Sequence, residues 1–142
     1  MKSIRSRSER ETQDFGSKMA KKMKAPQCIC LYGNLGSGKT IFSKGFAEGL
    51  GISRKSIKSP TFALMKKYKI GKTDLFHCDF YRINEPDDLL DADLEEIFNQ
   101  KNALVLIEWP EKIQKLLPKK RIDLLFKYID ENSRTIQIKA VE

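Results

Sequence analysis

The fold of this chain is decided by residues 28–40, which read Cys28-Ile29-Cys30-Leu31-Tyr32-Gly33-Asn34-Leu35-Gly36-Ser37-Gly38-Lys39-Thr40. The first five form a short apolar run, which predicts a buried strand. The next eight satisfy the pattern G-x-x-x-x-G-K-[ST] in full. Residues 40–50 then predict a helix, with apolar residues at helical spacing and Gly51 after its end. A strand, a glycine-rich loop and a helix in this order indicate a phosphate-binding loop.

Each residue type in the loop suits a phosphate ligand. Glycines allow the backbone to curl, so the amides of residues 34–39 are expected to point at phosphate oxygens, and the following helix adds its positive N-terminal end. Lys39 is expected to place its ammonium against the β- and γ-phosphates, and Thr40 to offer a hydroxyl to Mg²⁺. A second Gly-Lys-Thr, at 71–73, lacks a glycine five residues earlier and is predicted to be a hairpin turn. The predicted nucleotide-binding residues of the loop are Gly33, Asn34, Leu35, Gly36, Ser37, Gly38, Lys39 and Thr40.

The rest of the sequence alternates predicted helices with predicted strands. Hydrophobic spacing and breaker residues place helices at 11–24, from near Pro86 onward with Asn84 as the cap, and at 110–117. Strands are predicted at 103–109 and in two hairpins, 62–68 with 75–81 and 122–129 with 135–141. This pattern predicts an α/β fold, a P-loop NTPase-like three-layer sandwich with a mixed sheet containing β-hairpins.

Two carboxylates at predicted strand ends are candidates for metal and water chemistry. Glu108 ends the apolar run 103–107, where a Walker B carboxylate is expected, although Glu stands in place of the commoner Asp. Asp79 also ends a predicted strand, and ligands bind at strand ends in open α/β sheets. We expect Glu108 to hold Mg²⁺ directly or through water. Asp79 is expected to contact the water molecules around the metal or to orient the attacking water. The roles of the two acids could also be exchanged. The predicted catalytic residues are Lys39, Asp79 and Glu108, and the predicted metal-site residues are Thr40, Glu108 and Asp79.

Several residues near these motifs allow two interpretations each. His77, the single histidine, is a proton shuttle or metal ligand in one interpretation and a structural hydrogen-bond partner near the site in the other. Cys28 and Cys30 share a strand face, but their spacing is not that of paired zinc ligands, so they and Cys78 are predicted to be small core residues. Trp109 is predicted to sense bound nucleotide, with core packing as the alternative.

Length, composition and charge restrict the class of protein. A chain of 142 residues is typical of one domain, and we expect 1–142 to form a single P-loop domain, a nucleotide hydrolase or transferase, with 1–10 as a mobile or edge segment. No apolar run approaches the roughly 18 residues of a membrane span, the N-terminus lacks the apolar core of a secretory signal, and three cysteines argue against a disulfide scaffold. A cytoplasmic location without membrane partners is therefore expected. The net charge of +8 includes +6 over residues 54–82 and −8 over residues 83–111. The basic surface could attract nucleotides, nucleic acid or an acidic partner. The alternative interpretation is a lysine-rich surface that is only solvated.

Three alternatives to an ATPase stay open from the residues alone. A GTPase would carry [NT]-K-x-D to read guanine, and the nearest match, residues 71–74, has Gly in the first position. A small P-loop kinase would need an arginine-bearing lid, and no loop is long enough to supply one convincingly. A basic nucleic-acid-binding module with a vestigial P-loop would stack bases on aromatic residues, although strand alternation favours core packing for them. Those aromatic residues are Phe62, Tyr68, Phe76, Phe80 and Tyr81.

Four motifs, in this order and spacing, resemble those of the TsaE ATPases, also called the YjeE family, which are bacterial proteins of tRNA threonylcarbamoyladenosine (t6A) modification. The motifs are GNLGSGKT at 33–40, SPTF at 59–62, HCDFYR at 77–82 and LIEWPEK at 106–112. The resemblance runs from near Thr12 to near Arg134, which is most of the chain. The basic stretch that ends at Arg10 is not explained by these motifs.

The resemblance implies a Mg²⁺-dependent protein that binds ATP, hydrolyses it to ADP and acts with the TsaD and TsaB proteins. TsaD transfers the threonylcarbamoyl group, and ATP hydrolysis is implied to reset that complex between rounds, in proximity to tRNA. The resemblance also implies that Lys39 binds phosphate, that Thr40 and Glu108 hold Mg²⁺, and that residues 59–61 form a nucleotide-responsive loop. By resemblance or by position, the predicted nucleotide-binding residues outside the P-loop are Thr12, Thr61, Trp109 and Arg134.

Overall fold

The computed structural model describes residues 2–57 and 64–142. The loop at 59–61 with the predicted ligand residue Thr61, and the aromatic residue Phe62, lie outside the described residues. Within those ranges the chain forms seven strands: β1 (Lys2–Ser6), β2 (Gln27–Tyr32), β3 (Met65–Ile70), β4 (Thr73–Asp79), β5 (Ala103–Glu108), β6 (Arg121–Tyr128) and β7 (Arg134–Val141). The helices are α1 (Glu9–Lys22), α2 (Lys39–Gly49) and α3 (Asp88–Phe98), with short 3₁₀ segments at Arg54–Ser56 and Pro110–Leu116.

The described strands form one sheet in the order β1-β7-β6-β2-β5-β4-β3. Its centre is parallel, because β2 pairs in parallel with both β5 and β6, and β5 pairs in parallel with β4. Its two flanks are antiparallel, with β1 and β7 on one side and β3 on the other. Parallel neighbours in the centre place the glycine-rich loop and the strand-end acids at the same edge of the sheet.

Strand alternation divides the side chains of the sheet between two apolar layers. Leu104 and Leu106 of β5 pack on the face covered by α1 and α2, whereas Val105 and Ile107 pack on the face covered by α3. All six residues of β5 are buried, as expected for a central parallel strand covered on both faces. The predicted three-layer α/β sandwich with a mixed sheet is therefore confirmed.

Helices α1 and α2 lie unusually close together because glycines face their contact. A Cβ built on Gly45 would lie 2.0 Å from the backbone oxygen of Gln13, and one on Gly16 would lie 2.4 Å from the backbone oxygen of Phe42. No larger residue fits at these two positions without displacing a helix backbone. The close packing fixes the position of the first turn of α1, which borders the functional site described below.

The two predicted hairpins are present, and the strand β4 of the first hairpin ends earlier than predicted. Ile70 pairs with Thr73 across the turn at 71–72, which confirms that the second Gly-Lys-Thr is a hairpin turn. The prediction extended the second strand to Tyr81, but β4 ends at Asp79. The backbone N–H of Tyr81 donates to the Asp79 carboxylate at 3.0 Å, and this Asx-type turn ends the strand.

Two helix starts differ from the prediction, and in each helix a capping side chain sets the start. Helix α3 is capped by Asp87 and not by Asn84, since the Asp87 carboxylate accepts from the Leu90 backbone N–H at 2.8 Å. Helix α1 begins at Glu9 and not at 11, because the Ser8 hydroxyl accepts from the N–H of Glu11 while the Glu11 carboxylate accepts from the N–H of Arg7. The second arrangement closely follows a capping box, a pattern that residues 8–11 carry in the sequence.

The cysteines and most of the aromatic residues are core residues, as predicted. Cys28, Cys30 and Cys78 are all buried free thiols. Three of the aromatic candidates for base stacking are also buried, namely Tyr68 on β3, Phe76 on β4 and Phe80 directly after β4. Tyr81 is the exception at 45 % exposed, and it lies at the functional site. The basic surface therefore lacks the row of exposed aromatic residues that the nucleic-acid alternative requires within the described residues.

Candidate functional site

Three parallel strands end side by side at the candidate site. Leu31 of β2 lies opposite Glu108 of β5, and Glu108 lies opposite Asp79 of β4. Because parallel strands share a direction, the segments that follow them leave the sheet at the same edge. The loop that follows β2 is thereby brought beside both predicted acids.

The loop at 33–38 has the conformation that its glycines allow. Gly38 has a φ of +105°, a conformation that favours glycine, and a Cβ on it would lie 2.7 Å from Nη1 of Arg134, so a larger residue would also displace that side chain. The N–H of Ser37 donates to the carbonyl of Asn34 at 3.2 Å, which means that one amide expected to face phosphate is used inside the loop. Helix α2 begins at Lys39 without a side-chain cap, and such a helix start suits an anion.

Glu108 is the centre of a hydrogen-bond network although it is only 2 % exposed. The Thr40 hydroxyl donates to Oε1 of Glu108 at 3.0 Å. The other oxygen, Oε2, lies 2.7 Å from Nε2 of His77 and 3.3 Å from the hydroxyl of Ser43. The network therefore joins helix α2, strand β4 and strand β5 through one carboxylate.

The two acids of the site have opposite pKa shifts. Burial by itself raises the pKa of Glu108, but the hydrogen bond and the charge of His77, with smaller effects of the Thr40 and Ser43 hydroxyls, outweigh burial and hold the pKa below the ordinary value. Because an ionised carboxylate only accepts, Nε2 of His77 must carry the hydrogen. For Asp79, burial raises the pKa and the nearby charge of Glu108 adds to it, so the pKa lies above the ordinary value.

Lys39 and Trp109 form the opposite wall of the site. The Lys39 ammonium donates to the carbonyl of Gly33 and lies 3.6 Å from the centroid of the Trp109 ring. Burial lowers the pKa of Lys39 below its ordinary value, against the acids nearby, which raise it. Trp109 has a φ of +61°, a strained backbone for a bulky side chain of the kind often found at functional sites. Its ring also lies 4.9 Å from the ring of Tyr81.

Lys39, Glu108, Asp79, Tyr81 and Trp109 line one cleft of about 280 Å³. From the predicted set, the cleft brings together Leu35, Gly36, Gly38, Lys39, Thr40, Asp79, Glu108 and Trp109. The cleft thus combines a cation, a hydroxyl, two carboxylates and an indole ring at the edge of the sheet.

Five predicted ligand residues that the structure describes lie outside the lining of the cleft, namely the loop residues Gly33, Asn34 and Ser37 and the more distant Thr12 and Arg134. Thr12 is fully buried in α1, where its hydroxyl lies 2.6 Å from that of Ser6 and 3.3 Å from the carbonyl of Ser8. It therefore joins α1 to the edge strand β1. Arg134 is buried behind Gly38, and its Nη1 makes no hydrogen bond within the described residues.

Three residues of the site were not among the residues predicted to bind nucleotide or metal or to act in catalysis. Ser43 lies one turn after Thr40 on α2, so helical spacing was the signal that could have placed it beside Glu108. Tyr81 lies in the HCDFYR motif, and its exposure and its contact with Trp109 show its position in the cleft. Glu9 lines the cleft from the first turn of α1, and no sequence pattern connects it with the loop.

The oxygen atoms of Thr40 and Glu108 form a donor pair that fits Mg²⁺. Their separation of 3.0 Å matches the spacing of about 3 Å between adjacent ligands of an octahedral ion with metal–oxygen distances of about 2.1 Å. Within the described residues there is no group of three or more His, Cys, Asp and Glu side chains arranged for a metal ion. The zinc interpretation of His77 and the cysteines therefore has no support in that part of the chain.

The fold and the site together define an α/β protein of the P-loop type, with a strand–glycine loop–helix unit and a carboxylate on the adjacent parallel strand. The chain belongs to the TsaE family, because the family model for threonylcarbamoyl adenosine biosynthesis protein TsaE matches residues 6–136. It thereby belongs to a family of tRNA threonylcarbamoyladenosine biosynthesis, as the resemblance of the motifs predicted.

Individual relatives agree with this assignment. The tRNA threonylcarbamoyladenosine biosynthesis protein TsaE of Bacillus subtilis is 38% identical over 131 residues, which cover 92% of this chain and 80% of that protein. The TsaE protein of Rickettsia bellii is 37% identical over 131 residues, covering 92% and 90%. The crystal structure of YdiB from Bacillus subtilis is similar with a TM-score of 0.82 and 33% identity, covering 99% of this chain and 86% of that one. In residues 2–57 and 64–142, none of the helices has the length and apolarity that crossing a membrane would require.

Proposed function

We propose that this chain binds ATP together with Mg²⁺ in the cleft and hydrolyses it to ADP and phosphate as its part in t6A formation. The observation that carries the proposal is the oxygen pair of Thr40 and Glu108, 3.0 Å apart, at the start of a helix that follows a phosphate-type loop. The Lys39 ammonium in the same cleft supports a polyanionic ligand. Membership of the TsaE family supports the pathway, whereas the site supports the class of reaction.

Two buried cations beside the loop support the binding of phosphate groups. Lys39 is 5 % exposed and Arg134 is 4 % exposed, and neither forms an ion pair within the described residues. Buried charges are normally paired, since an isolated charge is costly to remove from water. A nucleotide would supply the missing negative charge and would raise the pKa of Lys39 again, against the effect of burial.

The donor set supports Mg²⁺ as the metal of the site. Thr40 Oγ1 and Glu108 Oε1 would hold it, and Mg²⁺ commonly takes its other ligands from water and from phosphates. When bound, Mg²⁺ neutralises the negative charge that collects on the phosphate oxygens. Glu108 is suited to this role because its lowered pKa keeps it ionised at neutral pH.

Asp79 is the group proposed to orient the attacking water. Its carboxylate is partly buried in the cleft, and the Tyr81 N–H holds Oδ1 at 3.0 Å. Its raised pKa makes it a better proton acceptor than an exposed aspartate. In the proposed reaction a water oxygen attacks the γ-phosphorus, the bond between that phosphorus and the ADP oxygen breaks, and the proton of the water leaves toward Asp79. The electron pair of the broken bond stays on ADP.

The open cleft supports slow turnover by the chain alone. Leu35 is 65 % exposed and Tyr81 is 45 % exposed at its lining, so water enters freely and weakens every electrostatic interaction inside. We expect the TsaD and TsaB proteins to complete the cleft, and ATP hydrolysis to reset that complex between rounds of modification.

The fluorescence of Trp109 tests the proposal, because it is the single tryptophan of the chain and its ring contacts the Lys39 ammonium. Titration with ATP and ADP is expected to change its emission, and Mg²⁺ is expected to tighten the binding. Titration with GTP in parallel tests the choice of base. The variant Lys39→Ala is expected to lose the response to nucleotide. Lys44→Ala is the matched control, since Lys44 is an exposed lysine on the same helix.

Each result decides a different part of the proposal. Unchanged nucleotide binding by Lys39→Ala would overturn the assignment of the cleft. An ATPase rate that does not rise on addition of TsaD and TsaB would contradict the role of these partners while leaving nucleotide binding intact. RNA binding that falls steeply with salt and persists in Lys39→Ala would favour the nucleic-acid-binding alternative.

A further inference from the structure

Glu108 presents its two oxygens to different surroundings, which gives the carboxylate a defined orientation. We propose that His77 is a positioning residue that holds Oε2 of Glu108 and thereby leaves Oε1 as the oxygen that faces Thr40 and Mg²⁺. The inference deepens the proposed function and rests on it, since it assigns a role in metal affinity to a residue that does not line the cleft.

The position of His77 makes it a rigid anchor. It lies on β4 two residues before Asp79, and it is 5 % exposed. Side chains alternate along a strand, so His77 and Asp79 share a face of β4. The distance of 2.7 Å between Nε2 and Oε2 of Glu108 is at the short end of N–H···O hydrogen bonds, as expected when the acceptor is ionised.

Ser43 is the weaker of the two donors to Oε2. Its hydroxyl has a single hydrogen, which is directed either to the carbonyl of Lys39 at 2.9 Å or to Oε2 at 3.3 Å. The shorter distance favours the backbone carbonyl, an interaction that serine commonly makes one turn back along a helix. His77 therefore supplies most of the restraint on Oε2.

Loss of this restraint has a defined consequence. Glu108 could then rotate and direct either oxygen away from Thr40, so that binding of Mg²⁺ would have to order the carboxylate first. Removal of a partner that orients a metal ligand typically lowers metal affinity by roughly 10–100-fold. Binding of nucleotide in the absence of metal should stay unchanged, because His77 lies outside the lining of the cleft.

The test compares His77→Gln with His77→Leu. The glutamine amide can place an N–H near the position of Nε2, whereas leucine keeps apolar bulk and has no donor. The concentration of Mg²⁺ at half-saturation is measured by Trp109 fluorescence of the ADP-bound protein and checked by calorimetry. We expect an increase of about 10-fold or more for His77→Leu and of less than about threefold for His77→Gln. Metal-free ADP affinity should be equal in all three proteins.

The results separate the failure of this inference from the failure of the proposed function. Wild-type protein without any effect of Mg²⁺ on ADP binding would remove the proposed function. Normal wild-type behaviour with equal Mg²⁺ dependence in His77→Leu would overturn the role of His77 alone. Equal losses in the Gln and Leu variants would show that the ring is needed for packing and not for its donor. If His77→Leu does not fold, His77→Asn replaces it, because its shorter amide cannot reach Oε2, and the same increase is expected.

Discussion

Replacement of Glu108 by Gln is the substitution whose result the structure specifies most closely. The glutamine side chain has the same shape, but one of its two ends becomes an NH₂ donor. His77 donates to Oε2 at 2.7 Å, so the amide oxygen must take that side. The NH₂ group of Glu108→Gln then faces Thr40, at the position proposed for Mg²⁺, and it cannot bind a cation.

The cost to folding should be small compared with the cost to metal binding. Hydrogen bonds to charged groups contribute about 1.5–3 kcal/mol, whereas neutral ones contribute about 0.5–1.5 kcal/mol. The hydrogen bond from His77 is kept, with a neutral amide oxygen as its acceptor. The Thr40 hydroxyl can rotate so that its oxygen accepts from the new NH₂ group. The buried charge also disappears, which offsets part of the loss. We expect the free energy of unfolding of Glu108→Gln to fall by about 1–2 kcal/mol at neutral pH.

Two measurements on Glu108→Gln check this reasoning. Urea denaturation gives the change in the free energy of unfolding, and Mg²⁺ titration of the ADP-bound protein by Trp109 fluorescence gives the metal affinity. Affinity for Mg²⁺ should fall by at least about 100-fold, since the substitution removes a ligand and not merely its support. Wild-type Mg²⁺ affinity in Glu108→Gln would refute the orientation of the carboxylate. Destabilisation far above the expected range would show that the network contributes mainly to folding.

Two further predictions concern stability. Gly45→Ala should lower the free energy of unfolding by more than about 1 kcal/mol in urea denaturation, because the new Cβ would lie 2.0 Å from the backbone oxygen of Gln13. This loss is expected although alanine normally favours a helix over glycine. Stabilisation would show that α1 can shift, and Lys44→Ala serves as the control. Folding lowers the pKa of Glu108. The stabilisation of the fold by the ionised carboxylate should therefore be fully present above the ordinary pKa and should disappear as the pH falls through the lowered pKa. The stability difference between wild type and Glu108→Gln should thus shrink on acidification, and a constant difference down to the acid-unfolded range would contradict the lowered pKa.

The strand–loop–helix unit could be predicted from sequence because its signals are local. An apolar run, the loop glycines and the Gly-Lys-Thr sequence lie within residues 28–40, and each acts on the backbone at its own position. Boundaries were less accurate where a side chain decided them. The Asx-type turn at Asp79 ended β4 early, and the cap at Asp87 replaced the one predicted at Asn84.

The neighbours of Glu108 could be predicted only in part. Thr40 was expected to share Mg²⁺ with it, but the full set of contacts comes from elements far apart in sequence. Thr40 and Ser43 reach it from α2, and His77 reaches it from β4. Their meeting depends on the order and register of parallel strands, and the apolar sequence of β5 allows many registers. One of the two sequence-based interpretations of His77 made it a hydrogen-bond partner near the site, without indicating which atom it would hold.

The sequence by itself determined that a phosphate-type loop joins a buried strand to a helix, because glycine conformation, strand burial and helix initiation are properties of neighbouring residues. The tertiary structure decided which acid stands beside Thr40 and which of its oxygens is held away from it. Parallel pairing of β4, β5 and β2 brings these groups to one edge of the sheet. Burial there strengthens the hydrogen bonds that distinguish the two oxygens of Glu108, and burial exists only once the three layers have packed.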